Sequence, residues 1–488
     1  MPRIEYILLI AVFWGILASG PRILNFDGDL PRHILSGNLI LETRHVDTTD
    51  VFSYRTKGYP SFPHEWLSQV LFASVYNWLD LDGVVLLTAL VIVSTWGVVY
   101  RHAMLSSNSI IAMLFVTALG IGASQLHVLP RPHIFTYLLL AIWIRLLEDI
   151  RKNQTRHWWV LPVIMLFWVN MHGMFLVGMI VLAMYLIGDF LDTPSSTWFR
   201  SQKTKSLLLA SGLSLLVTFL SPSGSEIWKA IASLGSNTYI TAKIPEYQSA
   251  NFHLPETWPF LLMLLLAIVG FARTTERISW APILLVAAFT TLALYSSRMI
   301  PIFAVAVTPI LAKITATWVR SEYSQSRVWL IEANIEKVNQ SSNGLIWFLA
   351  AVFAAAILLR SGGTIDPERR GNVFDPRFFP VNAVSWLEAR PPEGHMFNEF
   401  DWGGYLLLRL WPDQQIFMDG HTHIYGEALT REYERVITLS PGWQDVLNKY
   451  NIDWVIVRRD APLIDALAMQ ESWEIAYEDA TATIMIRR

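Results

Sequence analysis

Long runs of apolar residues recur along this chain, separated by short polar segments. Each membrane-spanning helix needs about 20 mostly apolar residues, and eleven of these runs approach that length. They cover residues 4–20, 84–100, 109–126, 134–147, 158–170, 174–191, 206–220, 258–272, 279–295, 299–312 and 344–359. Hydrophobic residues make up 53% of the chain and charged residues only 16%. The sequence therefore predicts a polytopic α-helical membrane protein of about eleven spans.

One further apolar run, Trp66 to Leu79, decides the predicted topology. It is short for a span, and acids flank it at Glu65 and Asp80. If it lies along the membrane surface, the Lys and Arg clusters of the later loops share one side, as the positive-inside rule requires. If it crosses the membrane, every later loop changes side. We therefore predict an interfacial helix at 66–79, after a first outer loop at 21–65.

This topology places the N-terminus in the cytoplasm and the C-terminus outside. It predicts a multi-pass protein of the inner (plasma) membrane, in contact with membrane lipids. We interpret the first apolar run as a retained span rather than a removed signal peptide, because no small-residue cleavage site followed by a soluble domain accompanies it.

The pattern changes at about residue 361, where short β-like runs begin to alternate with helical ones. The β-like runs are 396–400, 415–418, 454–457, 473–477 and 481–486, and the helical runs are 406–410, 428–439, 443–450 and 463–469. The sequence thus predicts a transmembrane domain over 1–360 and a small soluble extracytoplasmic α/β domain over 361–488.

Charge and cysteine content exclude some classes of function. The net charge of −3 gives no large basic field, so nucleic acid is not a predicted partner. Cysteine is absent, so neither a disulfide framework nor a thiolate metal site can form.

The first candidate for chemistry is the acidic turn after the first span, with Asp27 and Asp29 around Gly28. Two carboxylates there could accept a proton from a hydroxyl group or hold a divalent cation, and His33 would share the face of Asp29 on a helix that starts near Pro31. An ordinary helix cap is the competing interpretation.

Two more polar groups lie near predicted outer ends of helices. His64 and Glu65 precede the interfacial helix, where Glu65 could also serve only the helix dipole. Arg131 and His133 stand in a proline-bounded turn that favours anion binding, although an arginine reaching for the membrane interface is the alternative.

Two tight turns complete the set of candidates. Asn170 and His172 interrupt one long apolar stretch, and polar groups at that depth are costly unless they face protein or water. Their alternative role is to satisfy backbone hydrogen bonds. Arg298 follows two serines in a similar turn, where it could bind phosphate or join helices.

The predicted topology depends on the basic residues of other loops. It nevertheless places all these turns on the outer side of the membrane. Acids able to accept a proton and cations able to neutralise an anion then share one cavity bordered by lipid. This arrangement suits transfer from a lipid-phosphate donor.

At this level the chain resembles the GT-C superfamily of integral-membrane glycosyltransferases, in particular bacterial relatives of protein O-mannosyltransferases and aminoarabinose transferases. The resemblance covers about 1–315 well and the rest loosely. The matching segments are Asp27-Gly28-Asp29 with His33 and Gly37, Asp47 to Tyr54, His64 to Leu67, Trp168 to Gly173, and the Ser297-Arg298 turn. The basic-proline-proline motif common in better-known relatives is replaced here by Pro63-His64-Glu65.

The resemblance implies an inverting transferase that takes a sugar from a polyprenyl-phosphate donor at the outer membrane face. Asp29 would be the general base, with Asp27 as the fallback, and Arg131 and Arg298 would bind the lipid phosphate. The remaining candidates would position donor or acceptor, with His133 and His172 on the donor side and His33, His64, Glu65 and Asn170 as acceptor or positioning groups. The acceptor could be a protein, a lipid or a glycan. A divalent cation, Mg²⁺ or Mn²⁺, is an optional partner of Asp27, Asp29, His64 and Glu65.

The C-terminal segment Asn398 to Tyr405, followed by Asp419 to Thr422, looks distantly like the acceptor-recognising region of oligosaccharyltransferases. A tight strand-to-helix turn is the alternative. Two other functions also remain open from the sequence: a membrane transporter, although no internal repeat is present, and a non-catalytic membrane subunit with the same fold.

Overall fold

Apolar helices account for most of the structure, a computed structural model that describes residues 3–107, 109–153, 157–229, 232, 238–322, 328–340, 342, 344–360 and 371–488. Helices α1 to α8 are Ile4–Ala18, Gly20–Asn25, Leu30–Thr43, Trp66–Ser106, Ile110–Ser124, His133–Arg151, Val160–Met171 and Phe175–Asp192. Helices α9 to α16 are Ser195–Trp198, Gln202–Val217, Thr238–Lys243, Trp258–Arg273, Trp280–Tyr295, Ile300–Glu322, Val328–Gln340 and Leu345–Arg360.

The described helices agree with the predicted class of polytopic membrane protein. Six are long and apolar enough to cross a membrane, namely α4, α5, α8, α10, α12 and α14, the second, fourth, fifth and sixth together with short 3-10 turns at their ends. Four shorter apolar helices, α1, α7, α13 and α16, accompany them. The count of eleven spans stays a prediction.

Helix α4 is two helices joined at a kink. Leu79 and Asp80 leave the helical conformation, and Asp80 adopts a positive φ of 50°. The part before the kink packs on α3 so closely that a Cβ at Gly37 would overlap the backbone carbonyl of Gln69. This break supports treating 66–79 separately from the span that follows. The position of that segment at the membrane interface stays a prediction.

The C-terminal domain is a four-stranded sheet with helices around it. Its strands are β1 (His395–Asn398), β2 (Ile452–Arg458), β3 (Trp473–Glu478) and β4 (Ala482–Arg487), in the order β1-β2-β4-β3. Strands β1 and β2 are parallel, and the other two pairs are antiparallel. The helices are α17 to α21: Val381–Ala389, Gly403–Leu410, Thr422–Ile437, Trp443–Lys449 and Pro462–Ala468.

The prediction of a strand at 415–418 is wrong. This segment is outside the sheet, and Ile416 instead forms a parallel bridge with Ser53 of the first loop. Its backbone N–H donates to the carbonyl of Phe52 at 3.1 Å. An apolar run that reads as a strand has therefore paired with a distant loop rather than with its own domain.

This pairing belongs to a broad contact between the C-terminal domain and the first loop. Leu35 and Phe52 from the loop share one buried cluster with Trp402, Tyr405 and Leu406 from the domain. The domain consequently covers the end of the helical bundle at which α3 lies.

Candidate active site

The acidic turn Asp27-Gly28-Asp29 lies between α2 and α3, and the C-terminal domain presses on it. A Cβ at Gly28 would overlap the backbone carbonyl of Asp401, and a Cβ at Gly404 would come 2.5 Å from the carbonyl of Gly28. Only glycine allows this close approach of two backbones. The C-terminal domain therefore holds the turn in place.

Asp27 is held in place by an arginine. Both of its carboxylate oxygens accept hydrogen bonds from Arg131, and one also accepts from the backbone N–H of Asp29 at 3.0 Å. Burial alone would raise the pKa of Asp27, but the charge and hydrogen bonds of Arg131 lower it below its ordinary value. Arg131 therefore favours the ionised form of Asp27.

Asp29 differs from its neighbour in almost every respect. It occupies the N-cap position of α3, yet its side chain makes no capping hydrogen bond. Its carboxylate lies 3.3 Å from Nη2 of Arg131, and a quarter of the side chain (25%) is exposed. Burial and the nearby charges of Asp27, Asp419 and Glu65 outweigh Arg131 and raise the pKa of Asp29 to about 7. A carboxylate with a pKa near neutrality suits a general base.

A second arginine is connected to the first through an acid that the sequence did not mark as a site residue. Glu246 lies 3.5 Å from Nη1 of Arg131 and 3.8 Å from Nη1 of Arg298. Arg298 also donates to the hydroxyl of Tyr247 at 3.0 Å. The two arginines therefore face a common space, and the Glu246 carboxylate lies in it.

Three histidines surround Glu65. Its carboxylate oxygens lie 4.0 Å from Nδ1 of His33, 3.6 Å from Nε2 of His64 and 3.8 Å from Nε2 of His172. Burial lowers the pKa of His33, which favours its neutral form. Helix α3, the loop before α4 and the turn after α7 thus bring His33, His64, Glu65 and His172 together.

A hydrogen-bond chain positions the His172 ring. Trp168 donates to the hydroxyl oxygen of Thr136 at 2.9 Å, and the same oxygen lies 2.9 Å from Nδ1 of His172. Nε2 of the same ring faces Glu65.

Two predicted residues are occupied by structural contacts instead. A ring nitrogen of the buried His133 bonds the backbone carbonyl of His127 at 2.8 Å. Asn170 accepts from Trp66 at 2.7 Å and donates to the carbonyl of Leu166 at 2.8 Å. For Asn170 this is the alternative interpretation given above, the closing of structural hydrogen bonds. His133 still lies beside His172, with ring centroids 6.4 Å apart.

A buried ion-pair network links the C-terminal domain to this site, and it was not predicted. Arg32 of α3 pairs with Asp419 and lies 3.7 Å from Asp50. Asp419 also accepts from Tyr425 at 3.2 Å. The next residue, Gly420, packs so tightly on Asp29 that an added Cβ would overlap the Asp29 carboxylate. The segment Asp419 to Thr422 therefore packs against Asp29. The sequence indicated only a distant likeness of this segment to the acceptor-recognising region of oligosaccharyltransferases.

The side chains predicted for a divalent cation do not form one ligand set. Asp27 is bound by Arg131, and Glu65 lies among histidines. Across the ranges described above, no group of three or more His, Asp or Glu side chains could hold a metal ion. The divalent cation stays a prediction.

An open cavity borders Arg32, His64 and Glu65, whereas Asp29, Arg131 and Arg298 are not part of its lining. It measures about 610 Å³ with its mouth and is bordered by α3, the 46–52 and 61–65 segments and the C-terminal domain. Polar walls come from Arg32, Asp50, Glu65 and His421, and an apolar wall comes from Phe52. A cavity of this size can hold an organic substrate beside Glu65 and His64, which border it.

Known proteins resemble this chain in structure rather than in sequence. No family model and no curated protein matches the sequence. The structure of ArnT from Cupriavidus metallidurans bound to undecaprenyl phosphate matches with a TM-score of 0.55 at 14% identity, over 98% of this chain and 97% of ArnT. The apo structure of the same protein gives the same values.

An oligosaccharyltransferase from Archaeoglobus fulgidus, tethered to an acceptor peptide with an NVT sequon, matches with a TM-score of 0.56 at 11% identity. The match covers 93% of this chain and 68% of the oligosaccharyltransferase. Both proteins are GT-C membrane glycosyltransferases, so the predicted fold is confirmed: this chain has the GT-C fold, with its helical membrane domain and small C-terminal α/β domain.

Proposed function

We propose that this protein is a membrane glycosyltransferase that moves a sugar from a polyprenyl-phosphate donor to an acceptor hydroxyl, with inversion at the anomeric carbon. The observation that carries the proposal is the contrast between Asp27, which Arg131 holds ionised, and Asp29, whose pKa is raised to about 7. The GT-C fold and the ligands of ArnT and the oligosaccharyltransferase support the kind of reaction.

In the proposed step, Asp29 takes the proton of the acceptor hydroxyl. The acceptor oxygen forms a bond to the anomeric carbon while the bond from that carbon to the lipid phosphate breaks. The phosphate leaves with the bonding electron pair, and the carboxyl group of Asp29 keeps the proton until solvent removes it.

The departing phosphate needs cations, and Arg131 and Arg298 are proposed to supply them. Glu246 lies within 4 Å of both guanidinium groups, so an anionic headgroup would compete with it for the same space. Stabilising charge that develops on a leaving group accelerates such reactions, because the donors are already oriented before the step.

His33, His64, Glu65 and His172 are proposed to position the reactants. The cavity that Glu65 and His64 border extends toward the C-terminal domain, which suits an acceptor carried on a protein, lipid or glycan. His133 and Asn170 are proposed to hold these four side chains in place. The reaction would take place at the extracytoplasmic face of the inner membrane.

The proposal is tested with Asp29→Asn in membranes supplied with undecaprenyl-phosphate-linked hexoses and aminoarabinose, with release of undecaprenyl phosphate as the readout. Loss of a general base costs about 10²–10⁴-fold in rate, so we expect a fall in that range while the variant stays folded. Asp445→Asn, at an exposed position in α20 of the C-terminal domain, is the matched control. Wild-type turnover by Asp29→Asn would refute this mechanism.

A further inference from the structure

The opposite end of the helical bundle contains a second cavity, which we call the distal cavity. Helix α6 begins at His133 beside the candidate active site and ends at Arg151 in the wall of the distal cavity. Its 19 residues span about 28 Å at 1.5 Å per residue, close to the thickness of the hydrocarbon core of a bilayer. The two cavities therefore lie at opposite ends of the membrane domain.

The distal cavity is the larger of the two, with about 1000 Å³ including its open mouth. Its walls come from the ends of α4 and α6, from α8, from the 274–279 loop and from the second half of α14. Arg151 connects two of these walls, because it donates to Ser279 of the loop at 2.9 Å. The cavity is thus built from several elements that are fixed to one another.

Cations outnumber acids around this cavity. Arg151, Lys152, Arg277 and Lys313 line it, whereas its acids are Glu148 and Glu276. The buried Glu148 is already saturated, since both oxygens accept from Arg151, at 2.8 and 2.7 Å, and Lys152 lies 3.1 Å away. Glu148 has one negative charge, whereas Arg151 and Lys152 together have two positive charges. One positive charge of this group therefore stays uncompensated.

The opposite wall carries the other two cations in a looser state. Lys313 lies 3.4 Å from Glu276, and both side chains are about half exposed (53%). Within the described parts of the chain, Arg277 has neither an ion pair nor a hydrogen bond. An anion that entered the cavity would meet Arg277 without displacing a buried partner.

Apolar side chains also line the cavity. Leu105, Ile144, Leu285, Ile310 and Ile314 face the same space as the cations. A lining that combines cations with apolar side chains matches an amphiphile better than a free ion, because a tail would cover the apolar side chains. We propose that the distal cavity binds the phosphate headgroup of an anionic membrane lipid. This inference is independent of the reaction proposed at the other end.

The test uses the full-length protein in detergent, with binding followed by native mass spectrometry. Dioctanoyl phosphatidic acid is the probe, dioctanoyl phosphatidylcholine has the same tails without net charge, and inorganic phosphate has the headgroup chemistry without a tail. We expect saturable binding of phosphatidic acid, at least tenfold tighter than that of phosphatidylcholine. Competition by inorganic phosphate at comparable concentration would assign the site to the free ion rather than to a lipid, and would overturn the lipid part of the proposal.

The double variant Arg277→Ala, Lys313→Ala should weaken phosphatidic acid binding at least tenfold while Glu148 keeps its partners. The control Arg200→Ala, Arg273→Ala removes the same charge at the same end of the bundle but outside the cavity lining, and should leave binding within twofold of wild type. Equal losses in both double variants would show a diffuse attraction to basic loops and would overturn the site. So would equal affinity of the wild type for the two lipids.

Discussion

The two ends of α6 carry similar charged residues in opposite balance. At the candidate active site, Asp27, Asp29 and Glu246 share Arg131 among them. At the distal cavity, Glu148 alone has both Arg151 and Lys152. Burial, together with a shortage of cations, leaves Asp29 with a raised pKa. An excess of cations leaves Arg277 and Lys313 available to an anion. The number of neighbours of opposite charge therefore decides what each end can do.

The largest effect should come from moving Asp29 without changing its charge. In Gly420→Ala the new methyl group would overlap the Asp29 carboxylate and force it to move. A displacement of about 1 Å can cost about 10²-fold in rate, so we expect a fall of that size in kcat. Gly212→Ala is the matched control, because no atom lies within 4 Å of its new Cβ. Unchanged kcat in Gly420→Ala would show that the contact of the C-terminal domain with Asp29 does not affect the reaction. It would weaken the comparison between the two ends of α6.

A second prediction compares the stability roles of the two acids. Glu148→Gln leaves Arg151 and Lys152 without their carboxylate, and should cost about 2 kcal/mol of unfolding free energy, between the values for exposed and fully buried pairs. Asp29→Asn should cost nothing above pH 7. Since the pKa of Asp29 is raised in the fold, its ionisation lowers stability as pH rises from about 4 through 7, and asparagine removes this loss.

The measurement is thermal unfolding of both variants and the wild type at pH 8 in one detergent. A clear loss of stability in Asp29→Asn, comparable with that in Glu148→Gln, would mean that Asp29 is a structural acid like Glu148.

The smallest effect concerns Glu246, which competes for the two arginines. Glu246→Gln removes a negative charge from the space that a lipid phosphate would take, so undecaprenyl phosphate should bind about fivefold more tightly, or about 1 kcal/mol. Equilibrium binding of labelled undecaprenyl phosphate measures this change. Weaker binding would show that Glu246 orients the arginines rather than competing for them.

Much of the helical architecture follows from the sequence, because apolar runs of nearly span length leave few alternatives. The start of α3 was also predictable, since Pro31 suits the first turn of a helix and the helix does begin at Leu30. The role of the preceding acid was harder to predict. An aspartate that caps a helix and one that does not look identical in sequence, and only the missing capping bond distinguishes them here.

The parts that could not be predicted depend on contacts between distant segments. Arg32 and Asp419 pair across 387 positions, and nothing in a single sequence links them. Glu246 was visible only as one acid in a long loop, and its position between two arginines requires the fold. The 415–418 run has strand-like residues, but the first loop offered it a partner outside its own sheet.

The central claim is that Asp29 is a base whose pKa lies near 7 while Asp27 stays ionised. The pH dependence of single-turnover transfer from an undecaprenyl-phosphate-linked sugar tests this most directly. Because the base must be deprotonated, the rate should rise about tenfold per pH unit below pH 7 and level off above it, with a midpoint close to the raised pKa of Asp29. A rate that stays constant from pH 5 to pH 8 would contradict the account.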